Sequence, residues 1–135
     1  MDTVPTGPIT LSPPPWKTKA TIIIIPFRTD RATTKNFPEK AYHPLELQSG
    51  FASKESGSPK GGLSMIQLIR YHETPVGPYE EMIFTPGLFE YQVEGKKGRP
   101  AKKSHYRVTR MYVTQKYACW NGRKSMRIPP FMIPV

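Results

Sequence analysis

A single cysteine, Cys119, occurs in the 135 residues, so no internal disulfide can form and nothing calls for an oxidising compartment. Long apolar runs are equally scarce. The longest purely aliphatic stretch is Ile22 to Ile25, far short of a bilayer span. The first residues, M-D-T-V-P-T-G-P, have neither the basic start nor the apolar core of a signal peptide. There is no Asn-x-Ser/Thr acceptor, no His-x-x-x-His and no Cys-x-x-Cys, and His43, His72 and His105 stand far apart. These absences lead us to expect a soluble, cytoplasmic protein with no membrane segment, no metal site and no cofactor.

Acidic residues are missing from one end. Residues 95–135 hold eleven Lys/Arg and no Asp or Glu, whereas residues 1–94 hold nine Lys/Arg against ten acids. The net charge of +10 is therefore concentrated in one part of the chain, where an anionic partner such as nucleic acid would meet it.

Proline and glycine are plentiful, at 16 and 10 residues. That load argues against long helices and for short strands joined by turns in one small domain. Residues 1–15 carry five prolines and little to bury, which predicts a flexible lead-in. Residues 20–27 (A-T-I-I-I-I-P-F) are β-branched and apolar, predicting a strand buried on both faces and ended by Pro26. Residues 29–60 read as irregular, and residues 63–71 and 80–85 as the second and third strands. Residues 74–79 form a Pro/Gly turn between those two. Residues 88–93 and 104–113 suggest a hairpin around the basic loop 94–103. Residues 114–126 suggest a helix, with Gly122 inside it.

Few signals carry chemistry. The loop E-G-K-K-G-R-P-A-K-K contains Gly98-Arg99-Pro100 between lysines, as an AT-hook does. In that motif an extended arginine enters the narrow minor groove of A·T-rich DNA. Lys97, Arg99, Lys102 and Lys103 would make the contacts, although a solvated hairpin tip is the plainer reading. G-S-P-K-G-G at 57–62 lacks the Gly-Lys-Ser/Thr of a phosphate loop and reads as a turn entering the second strand. Cys119, beside Trp120, reads as a packed thiol. Glu80 and Glu81 are the only adjacent carboxylates. On a strand they point to opposite faces, so at most one of them looks inward.

Several segments, in order, resemble the fungal branch of the acetoacetate decarboxylase-like superfamily. They are P-P-P-W-K-T-K-A-T-I-I-I-I-P-F (13–27), F-P-E-K-A-Y-H-P-L-E (37–46), G-G-L-S-M-I-Q-L-I-R-Y (61–71), T-P-V-G-P-Y-E-E-M-I-F (74–84) and R-V-T-R-M-Y-V-T-Q-K-Y-A-C-W-N-G-R-K (107–124). The resemblance implies a mainly β (α+β) fold: part of an antiparallel β-barrel or cone with one or two short helices, often in a larger homo-oligomer. It divides the chain into a tail (1–15), the N-terminal part of such a domain (16–127) and an atypical apolar tail (128–135).

The family's enzymes decarboxylate β-keto acids through a lysine Schiff base. That chemistry needs a neutral amine, and acetoacetate decarboxylase is a standard example of a lysine activated by desolvation or a neighbouring cation. The resemblance places Pro130 where that lysine is expected, so an inactive lineage member, shortened near the nucleophile, is the reading for this chain. It implies Glu81, in the Gly77–Tyr79–Glu81 pattern, as a pocket carboxylate, Arg28 as a pocket cation and Lys124 as a substitute amine. The ligand class it implies is a β-keto acid or lactone of secondary metabolism. A homo- or hetero-oligomeric partner would complete the barrel. The alternatives are a small basic nucleic-acid-binding protein and a non-catalytic subunit pairing with a full-length paralogue.

Overall fold

A computed structural model describes residues 7–37, 39–125 and 132–134. Along the chain run β1 (Lys19–Thr29), α1 (Arg31–Thr34), β2 (Ser58–Glu73), β3 (Tyr79–Thr85), β4 (Leu88–Glu94), β5 (Pro100–Tyr106), β6 (Arg110–Val113), α2 (Lys116–Ser125) and β7 (Met132–Pro134). The strands form one mainly antiparallel sheet in the order β5-β4-β2-β3-β6-β7, with β1 also paired to β2. β6 and β7 run parallel. Among the described residues the sheet does not close on itself. No described helix is long and apolar enough to cross a membrane.

β2 is the branch point. Ser58 to Gly61 pair with β4, and the remainder pairs with β1 on one side and β3 on the other. The register shifts between Pro59 and Gly61, where one ladder gives way to the next. Gly61 and Gly62 both have positive φ (72° and 98°), and a Cβ on Gly61 would collide with the Thr29 carbonyl oxygen. Only glycine suits this crossing of backbones. The segment 57–62, expected as a turn, therefore lies almost wholly inside β2, because the positive-φ glycines bend the strand without ending it.

Residues 37–56 cover one end of the sheet. Ala41, Tyr42, Ala52 and Phe89 form a buried cluster with Phe37, Leu47 and Phe51 packed against it. Two arginines of the basic segment hold this cover down. The Arg107 guanidinium lies 4.9 Å from the ring centres of both Phe51 and Phe89, and it donates to the Tyr42 hydroxyl (3.2 Å), the Phe51 carbonyl (3.3 Å) and Ser56 Oγ (2.9 Å). Arg110 donates to the carbonyls of Lys40, Ala41 and Tyr42. Among the described residues, neutral acceptors hold both cations, with two ring faces added for Arg107, and no carboxylate pairs with either. Part of the positive charge of this segment is thus internal structure.

Several sequence expectations change. β1 continues through Pro26 to Thr29, since a proline on an edge strand need not break a ladder. Its isoleucines are not buried on both faces: Ile22, Ile23, Ile24 and Ile25 are 55%, 57%, 56% and 46% exposed. The physical reason is position, because among the described residues β1 has a neighbour on one side only and no layer covers either of its faces. The strand expected over 104–113 is two strands, interrupted at residues 107–109, where Arg107 turns into the core. The expected helix starts at Lys116, with Gln115 Oε1 accepting from the Ala118 amide, and Met126 lies outside the described residues. Residues 7–16 follow α2. Asn121 accepts from the Ser12 amide (2.7 Å) and donates to the Thr10 carbonyl (3.1 Å), while the Tyr117 hydroxyl reaches the Gly7 carbonyl.

Candidate functional site

The turn between β2 and β3 is built by Thr74, whose hydroxyl accepts from the Val76 amide and donates to the Gly77 carbonyl. Gly77 has φ +90°, which favours glycine there. Gln115 Nε2 donates to the Val76 carbonyl and ties the turn to the start of α2. This closure sets Tyr71 opposite Tyr79 and Ile69 opposite Glu81. Tyr71, Tyr79 and Glu81 therefore share one face of the sheet, the face on which Cys119 of α2 packs with Val113, Tyr79 and Met111.

On that face the two tyrosine rings stack with centres 4.5 Å apart, and Glu81 beside them is 9% exposed. Burial raises the Glu81 carboxyl above its ordinary range, and the adjacent Tyr71 hydroxyl offsets part of the rise. Burial and the Glu81 charge push Tyr71 up to about 12, and the same two causes raise Tyr79. The result is a buried carboxyl whose charged form is disfavoured, beside two phenols that stay protonated at physiological pH. The phenols of this row can hydrogen-bond a carbonyl oxygen, and the row contains no amine. Cys119 is also shielded, because burial raises its thiol and Arg123 only partly offsets this.

The pH consequence has a definite sign. A carboxyl whose folded pKa is raised contributes stability that is fully present below its unfolded value, near 4.5, and is lost as pH rises through the folded value. Urea midpoints measured from pH 4 upward are expected to fall across that window for the native chain. In Glu81→Gln that component is expected to disappear, and an unchanged pH slope would refute the assignment.

The opposite face carries a groove of 520 Å³ lined by rows from four strands, and Ile69 and Glu81 also border it. Ile23, Leu68, Met82 and Tyr112 lie in one register row, and Thr21, Arg70 and Glu80 in the next, where Thr114 joins them. Arg70 and Glu80 form an exposed ion pair (2.6 Å), and the Thr21 hydroxyl meets His72 Nε2 at 2.8 Å. Glu80 and Glu81 thus serve different faces, as strand alternation requires.

The remaining sequence candidates are not brought together with Glu81. Arg28 is exposed on β1 opposite Leu63, six residues from Ile22 in the Glu81 row, or roughly 20 Å along the strand. Lys124 is exposed on α2 with its Nζ 5.9 Å from the Trp120 ring centre. Pro130 lies outside the described residues. The basic loop is a tight hairpin tip, in which Lys97 adopts a left-handed conformation and the Gly95 amide donates to the Arg99 carbonyl. Arg99 and Lys103 are exposed, while Lys102, with Lys60, pairs with Glu90. The three histidines lie apart: His43 against Tyr112, His72 against Thr21 and His105 against Tyr91. Among the described residues no group of His, Cys, Asp and Glu is placed to hold a metal ion.

Sequence reasoning missed Tyr71 as a partner of Glu81. The available signal was hairpin arithmetic: a turn centred on Pro75 places residue 71 opposite 79. It also missed the structural use of Arg107 and Arg110, which no local pattern distinguishes from surface cations. No protein-family model, no curated protein and no solved structure matches the chain.

Proposed function

We propose that this chain is an acetoacetate decarboxylase-like protein that binds a small β-keto acid or lactone without forming a Schiff base. The cone of that family is the architecture proposed to be built on this open sheet. The observation that carries the reading is the buried Glu81 beside the stacked Tyr71 and Tyr79, in the Gly77–Tyr79–Glu81 pattern. The two phenols supply donors for the oxygens of a β-keto acid or lactone beside the buried Glu81 carboxyl, whereas imine chemistry needs a neutral amine within reach of the carbonyl. The register rows around Glu81 contribute Ala20, Ile22 and Ile24 of β1, Gln67, Ile69 and Tyr71 of β2, Ile83 of β3, and Met111 and Val113 of β6. None of these side chains is an amine. Pro130, at the position expected for the nucleophile, supports the same conclusion on sequence grounds. A place in secondary metabolism follows by family analogy alone.

Borohydride reduction in the presence of acetoacetate tests the chemistry. Intact mass is expected to stay unchanged, and an adduct on any lysine overturns the non-enzymatic reading. Titration with the same compound, followed by tyrosine and tryptophan fluorescence, is expected to saturate in the native chain and weaken at least tenfold in Glu81→Ala. A flat titration overturns the ligand assignment.

A further inference from the structure

We propose that β1 is the surface through which two copies of this chain associate, joining their sheets edge to edge about a two-fold axis at Ile24. The starting observation is four consecutive isoleucines about half exposed on both faces of an edge strand. Edge strands are commonly protected by charge in mid-strand or by a covering loop. Here Lys19 and Arg28 stand near the two ends of β1, and Pro26 is the sole guard within it.

The strand is self-complementary. With a two-fold axis perpendicular to the sheet, facing residues must share a face, so their numbers sum to an even value. The register that uses all eleven residues, 19 to 29, puts Ile24 opposite its own copy. Ile23 then faces the partner's Ile25, and Ile22 faces the partner's Pro26. At the ends, Lys19 faces the partner's Thr29 and Arg28 faces the partner's Ala20. No like charges oppose one another, and each face of the strand meets apolar side chains of the same face. Pro26 removes one ladder donor per copy and leaves the central pairs intact.

Edge pairing covers the backbone edge of β1 and the flanks of its isoleucines while leaving the two sheet faces open, so the buried area falls below about 1,200 Å², the range of weak, concentration-dependent association. Each copy carries a net charge of +10, so repulsion opposes association and added salt strengthens it. The groove on the Leu68 face benefits directly, since the partner's Ile25 comes to lie beside Ile23 on its open rim. This inference stands independently of the ligand reading above.

Sedimentation velocity over the micromolar range is expected to show the mass doubling with concentration, more readily at high salt. Ile24→Lys places two ammonium groups on the axis and is expected to remain monomeric with an unchanged far-UV spectrum. Ile24→Thr, which keeps β-branching, controls for folding and is expected to weaken the dimer without abolishing the sheet. Under mild oxidation Ile24→Cys is expected to cross-link, because facing Cα atoms lie about 5 Å apart. Ile22→Cys is not, because its copies are separated by roughly 14 Å. A monomer at every concentration overturns the proposal. So does a dimer that survives Ile24→Lys, cross-links equally through Ile22→Cys, or dissociates as salt rises.

Discussion

Arg107→Ala is expected to destabilise the fold by about 3 kcal/mol, the cost of removing a hydrogen-bonded, partly buried cation stacked on two aromatic rings. One side chain joins Tyr42, Phe51, Ser56 and Phe89, so its loss unfastens residues 37–56 from the sheet. Arg107→Lys is expected to recover less than half of that loss. An ammonium can donate to one or two of the acceptors, but it cannot present a planar fork between Phe51 and Phe89. Urea titration followed by circular dichroism gives both numbers. Equal stability of Arg107→Lys and the native chain would show that charge alone, and not the shape of the guanidinium, holds the loop.

Gly61→Ala is expected to cost about 3 kcal/mol as well, from two sources that can be separated. The residue sits at φ +72°, and its new methyl group would collide with the Thr29 carbonyl and press on Thr34 Cγ2 at 3.3 Å. Gly98 provides the control, with φ +70° and nothing within 4 Å of an added Cβ. Gly98→Ala should therefore cost only the conformational part, about 1 kcal/mol. If the two substitutions shift the urea midpoint equally, the close approach of β1 to β2 at Gly61 plays no energetic part.

The strands were legible where turn chemistry and β-branching coincide. The Thr74–Gly77 turn, the apolar segments that became β2 and β3, and the helix carrying Trp120 and Asn121 all follow from local pattern. Burial at β1 was misread for a physical reason. Periodicity reports that isoleucines want cover, and it does not report whether the chain supplies the layer. The candidate site was half visible. Glu81 was singled out and Tyr79 lay in the same motif, but the stacking of Tyr71 on Tyr79 depends on a cross-strand register that no local pattern states. Arg107 and Arg110 were invisible for another reason: a cation held by carbonyls and aromatic rings leaves no acidic partner in the sequence to announce it.

The forked pairing of β2 bears on how the protein comes apart. One strand serves as the inner rail of both ladders, β1–β2–β3 and β2–β4–β5, with Gly61 at the junction. Peeling away either ladder exposes backbone that the other relies on, so the two halves cannot melt as separate foldons. Amide exchange in β2 should report a single global opening, on both sides of the fork.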